Sequence, residues 1–82
     1  MNHQAILIQL REAKEELDRT IEKIANDPSF DFERFQVAMN HVYHHLNTAW
    51  NGRDASSERH RKCSQKDFDT WRKFPKASDF SL

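Results

Sequence analysis

Apolar residues recur three and four positions apart along the first part of the chain: Leu7, Leu10, Leu17, Ile21 and Ile24, flanked by Ile6 and Ala13. That period marks one face of an α-helix, predicted over residues 3–26. Lys14 interrupts the stripe, and Ala13 carries the seam past it. Glu15 stands four residues before Arg19, the favourable order for a helical ion pair. Asn26-Asp27-Pro28 then stops the helix, because proline restricts the residue before it and cannot donate to the ladder.

A second stripe repeats every seven residues: Phe32, Phe35, Met39, Val42, Leu46 and Ala49, with Trp50 beside it. It predicts a helix over residues 30–51. Ser29 or Asp31 can cap its free N–H groups, and Gly52 stands where a left-handed capping residue is expected. Two long helices joined by a short proline turn predict an antiparallel hairpin. Apolar spacing near 3.5 suits shallow left-handed packing of the two stripes.

Beyond Gly52 the pattern changes. RDASSERHRK is polar and reads as loop or weak helix. Ser64, with Asp67 at the capping-box distance, predicts a short helix over residues 65–73. Phe68, Trp71 and Phe74 recur every three residues and can pack on the hairpin. Pro75 ends that helix, leaving residues 75–82 as a flexible tail. Residues 1–74 form a single helical domain. A hairpin alone cannot cover AILIQL, Phe30, Trp50, Trp71 and Phe80, so apolar surface is left over. The expected solution is a two-fold homodimer that joins two hairpins into a four-helix bundle.

Composition supports the all-α reading. One glycine and two prolines in 82 residues leave few turns for a β fold. A chain this short buries little core and is marginal without a disulfide, a metal or a second subunit. Cys63 is the only cysteine, so no disulfide forms within the chain, and its lone presence fits a reducing compartment. The stretch MNHQAILIQLREAKEE lacks the basic start and small-residue cleavage site of a signal peptide. No apolar run approaches the roughly 18 residues that cross a bilayer. The expectation is a soluble cytoplasmic protein with no membrane role.

Formal net charge is zero with neutral histidines, which argues against nucleic-acid binding over the whole surface. The charge is uneven, however. Residues 1–33 carry eight acids and four bases, and residues 34–82 carry nine bases and five acids. The two halves can attract each other within a subunit or across a dimer. Alternatively, the basic half serves an anionic partner. In that nucleic-acid reading, Arg53, Arg59, Arg61, Lys62 and Lys66 contact phosphates while Trp71 stacks on a base.

Three of the five histidines fall in HVYHH, residues 41–45. At about 100° per residue, with His41 as zero, His45 lies near 40° and His44 near −60°. Phe35, Met39, Val42 and Leu46 lie between about 100° and 160°. The histidines therefore share a face off the apolar seam, joined by Arg34, Val37 and Thr48. His41 and His45 are four apart, a spacing that can chelate one metal ion from a helix. Helix two offers no carboxylate between Glu33 and Asp54, so other ligands would come from His3, His60, Cys63 or a second subunit. Cys63 sits among Arg59, Arg61, Lys62 and Lys66, which favour a thiolate. A lone flagged thiol does not make an enzyme, and a single glycine leaves no phosphate-binding loop.

The pattern as a whole predicts a non-enzymatic interaction or regulatory protein with no cofactor. Its expected contact surface for a protein partner is Arg34, His41, His44, His45 and Thr48, with the corner Trp50, Asn51 and Arg53. The alternatives are the nucleic-acid module and a metal-binding bundle through His41 and His45.

Overall fold

Residues 1–80 are described by a computed structural model, and every regular element among them is helical. Helix α1 spans His3–Asn26, α2 Phe32–Asn51, α3 Ser57–Lys62 and α4 Gln65–Trp71, with a 3-10 turn at Ala77–Phe80. No strand occurs among the described residues, and no helix there is long and apolar enough to cross a membrane.

Short polar side chains set the helix ends. Asn2 caps α1 by accepting from the Ala5 N–H at 3.1 Å. Its amide also donates to the Ala55 carbonyl and the Ser57 hydroxyl, at 3.0 and 3.1 Å. One residue thus opens α1 and anchors the approach to α3. After α1, the Asp27 carboxylate accepts from the Ser29 N–H and hydroxyl, and these bonds hold its carboxyl below the usual range. Asp31 caps α2 by accepting from the Arg34 N–H at 3.0 Å. The Arg34 guanidinium reaches back to the Ser29 hydroxyl and to Asp27, closing the turn.

The segment read as loop or weak helix contains α3. Ser56 caps it by accepting from the Arg59 N–H, Glu58 lies in its first turn, and Arg59, His60, Arg61 and Lys62 fill its last. That charge order follows the helix dipole. The missed signal was Ser56 followed by acid and then base. Helix α3 stops at Cys63, whose φ of 39° is left-handed. A side chain in that conformation costs roughly 1–2 kcal/mol, which glycine avoids. Cys63→Gly is therefore expected to stabilise the protein by about 1 kcal/mol, read as a higher urea midpoint with an unchanged slope. Ser64 caps α4 by accepting from the Asp67 N–H at 3.1 Å.

One capping expectation needs correction. Gly52 does end α2, but its φ is −97°, outside the left-handed region. Glycine is needed there for space. A Cβ would lie 2.7 Å from the His60 ring and 2.9 Å from the Thr48 carbonyl oxygen. The His60 ring is held in place by its Nε2, 2.8 Å from the Gly52 carbonyl oxygen. Ala77–Phe80 form a 3-10 turn, and the Phe80 ring lies 4.7 Å from the Trp50 ring. Aromatic contact holds this part of residues 75–82 to the body; residues 81–82 lie outside the described residues.

The pairing of α1 with α2 is thin. Contacts match the start of α1 to the end of α2. The Asn2 N–H donates to the Arg53 carbonyl, His45 lies beside Gln9 and Glu12, and His41 lies beside Glu16. The buried apolar residues are Ala5, Ala13, Ala38, Val42, Ala49, Ala55 and Trp71. Alanines let the two backbones approach closely but contribute little apolar area. Of the residues expected to fill the seam, Ala13, Val42 and Ala49 are buried, whereas Leu7, Leu10, Leu17, Ile21 and Ile24 are exposed, as are Phe32, Phe35 and Leu46. The period was right, and the centre of the buried face lies one step round from the large side chains of the stripe. Small residues one step round each helix won the inter-helix contact.

Candidate interaction surfaces

Many of the exposed apolar residues of α1 and α2 fall on one surface. At about 100° per residue, Leu10, Leu17, Ile21 and Ile24 fall within about 60° of arc on α1. Phe32, Phe35, Met39 and Leu46 do the same on α2. In each helix the arc adjoins the buried stripe on the side of increasing angle. Because the two helices run in opposite senses, those sides point the same way. The result is a single apolar face across the helix pair, on which Ile21 is 64%, Ile24 58% and Phe32 73% exposed.

The opposite face of the pair is polar, and it holds two of the three clustered histidines. His45 Nδ1 lies 2.9 Å from the Gln9 amide oxygen and 3.2 Å from Glu12. His41 Nδ1 lies 3.6 Å from Glu16. Arg19, one turn on, hydrogen-bonds the same Glu16 carboxylate and, with His41, holds it below the usual range. These carboxylates come from α1, which the spacing within HVYHH does not reveal. Glu12 and Glu16 are four apart on α1, as His41 and His45 are on α2, so opposed helices match them pair by pair.

His44 does not share that face. It turns toward α4, with its ring 5.7 Å from the Phe68 ring. It lines an open groove of about 530 Å³ with Tyr43, Asn47, Phe68, Arg72 and Phe74. Burial lowers the His44 pKa first, and the positive charges of His45, His41 and Arg72 lower it further against a smaller opposing effect of Glu12. A depressed imidazole favours the neutral ring in the folded state. Its stabilisation is present above the unfolded value of about 6.5 and is lost as pH falls below it. Wild-type protein is expected to lose more thermal stability between pH 7 and pH 5 than His44→Gln does. Parallel slopes in thermal melts of the two proteins would contradict this.

Among the described residues, no three His, Cys, Asp or Glu side chains converge to hold a metal ion. His41 and His45 each meet one carboxylate instead of a shared centre, and His3 is exposed at the start of α1. The expected contact surface is corrected further at Thr48, which is 6% exposed and faces inward, its hydroxyl without a hydrogen-bond partner. Asn51 donates to the Trp71 and Lys73 carbonyls at 3.0 and 2.7 Å, tying the end of α4 to α2. Arg53 donates to the Trp50 carbonyl and places its guanidinium 4.2 Å from the Trp50 ring centre. The Trp50–Arg53 corner is thus occupied by its own contacts, and Phe80 lies against the same indole.

The basic residues of the nucleic-acid reading are dispersed. Trp71 is 4% exposed and stacks on the His60 ring at 4.5 Å, so no base can reach its face. Arg59 is paired with Asp67 at 2.6 Å and holds that carboxyl below the usual range. Lys62 pairs with Glu58. Arg53 is engaged as described, leaving Arg61 and Lys66 exposed on separate helices. Cys63 is exposed, while His60, its nearest histidine in sequence, is committed to Gly52.

Compared with known proteins, the chain matches no family model, no curated protein and no solved structure.

Proposed function

We propose that this chain is a non-enzymatic helical interaction module that works as a homodimer. In this reading α1 and α2 form an antiparallel hairpin, and two hairpins close their apolar faces into a four-helix bundle. The observation that carries it is the exposed face of Leu10, Leu17, Ile21 and Ile24 with Phe32, Phe35 and Leu46. Its extent matches an interface. The chain exposes 6376 Å², against about 5,200 Å² for an ordinary folded monomer of its mass. The excess is on the scale of the roughly 800 Å² that each partner contributes to a standard interface. The radius of gyration is 14.4 Å, where about 12 Å is usual for this length. Both departures suit one half of a bundle.

Once the apolar faces are closed, the polar faces point outward. Arg34, His41 and His45, with Glu12 and Glu16, then offer mixed charge to a protein partner. The non-enzymatic reading is supported by how the titratable groups are used: each of these acids and imidazoles is paired, and His60, the histidine nearest Cys63 in sequence, is committed to Gly52. Sedimentation of untagged protein at micromolar concentration tests the dimer. A mass of two chains is expected, and a single-chain mass across that range would overturn the reading.

A further inference from the structure

The apolar face holds one charge, and that charge fixes how a second copy sits on it. This inference rests on the dimer proposed above and adds its arrangement. Lys14 occupies the gap in the α1 stripe, midway between Leu10 and Leu17. It is 76% exposed, and its ammonium lies 3.1 Å from Asp18 of the same helix. In a closed bundle Lys14 is carried to the edge of the seam. There Asp18 of its own chain partners it, and an acid facing it from the second copy would add a further opposite-charge contact.

Two face-to-face arrangements are open to a two-fold dimer of helix pairs. In one, α1 lies over α2 of the second copy. The contacts of His41 with Glu16 and of His45 with Glu12 set the relative height of the helices, so Lys14 would meet the region of Val42 and Tyr43. That stretch of α2 carries no acid: Glu33, in its first turn, is the only one in the helix. In the other, α1 lies antiparallel on α1 and α2 on α2. The seven-residue repeat then matches in full. Leu7 meets Ile24, Leu10 meets Ile21, and Lys14 meets Leu17, each with its reciprocal. Lys14 comes next to Asp18 of the second copy. On α2 the same operation joins Phe35 to Leu46, both exposed in the single chain. Its axis crosses α1 between Glu15 and Glu16 and α2 between Asn40 and His41. The structure places Glu16 beside His41, so one axis serves both helices.

From the charge match and the common axis, we infer that the partner on the apolar face is a second copy of this chain with α1 antiparallel on α1. Lys14 and Asp18 cross-pair around the axis. The face is a self-recognition surface whose register is set by that polar pair.

Two charge variants test it. Lys14→Asp makes the site wholly acidic, and Asp18→Lys makes it wholly basic. Each variant has like charges within its own helix whatever it binds, so only the contact between chains changes on mixing. In the inferred arrangement the mixture restores two opposite-charge contacts. Native mass spectrometry of an equimolar mixture is expected to show the heterodimer enriched about tenfold over the statistical ratio. As a second reading, Leu10→Cys chains mixed with Ile21→Cys chains, both lacking Cys63, are expected to cross-link under mild oxidation. A statistical mixture overturns the inference, as does cross-linking of Leu10→Cys to Leu46→Cys chains instead. A wild-type protein of single-chain mass would instead remove the dimer itself, so the two failures are distinct.

Discussion

Leu17→Glu combined with Met39→Glu is expected to leave the protein folded and monomeric. Leu17 is exposed and Met39 half-buried within one chain, so glutamate at either position meets water before association. In the bundle each carboxylate would be shut against Leu, Met and Phe side chains. Burying an unpaired charge costs several kcal/mol, and the two-fold repeats each substitution. The dissociation constant is expected to rise more than about a thousandfold, at about 1.4 kcal/mol per decade. Val37→Glu is the control. Val37 is an exposed apolar residue of α2 that lies off the apolar face, so the dimer mass is expected to persist. Sedimentation reads both. A double variant that keeps the dimer mass would place the interface elsewhere.

The second large effect belongs to Trp71. It is the one large side chain among the buried apolar residues. Its ring stacks on His60, which reaches Gly52, and its carbonyl accepts from Asn51. The Arg59 guanidinium, paired with Asp67 of α4, approaches the same ring at 5.7 Å. Trp71 therefore joins α3, α4 and the end of α2. Truncation of a buried tryptophan costs about 3–5 kcal/mol, close to all that a core of this size supplies. Trp71→Ala is expected to lose the helicity of α3 and α4 and to broaden or abolish the thermal transition. A sharp melt within a few degrees of wild type would show that the indole is dispensable.

The all-helical architecture was legible because helix punctuation is local. Asp27-Pro28 stops α1 and Asp31 starts α2 for reasons contained in two or three residues. Ser64 with Asp67 announces α4 in the same way. What was not legible is what depends on another element. Gly52 looks like a left-handed cap until the His60 ring, eight residues on, is placed against it. Trp71 looks available to a base until the same ring covers it. HVYHH looks like a cluster in search of acids until α1 brings Glu12 and Glu16 alongside. The periodic stripe was real as well, but a period locates a face and does not say which neighbour the face meets. Alanines and a threonine, carrying almost no periodic signal, took the contact between α1 and α2.

That alanine seam carries a consequence for how the chain behaves when dilute. Ala5, Ala13, Ala38 and Ala49 return little free energy when the two helices close on each other, so in the proposed dimer most of the apolar gain would come from the second copy. In that reading, association would add stability to a single-chain fold that is marginal alone. Stability of such a protein is set by how many copies surround it, and a melting temperature that climbs with concentration is its signature. In the proposed dimer, the small side chains in this seam would make abundance a determinant of how stably the chain is folded.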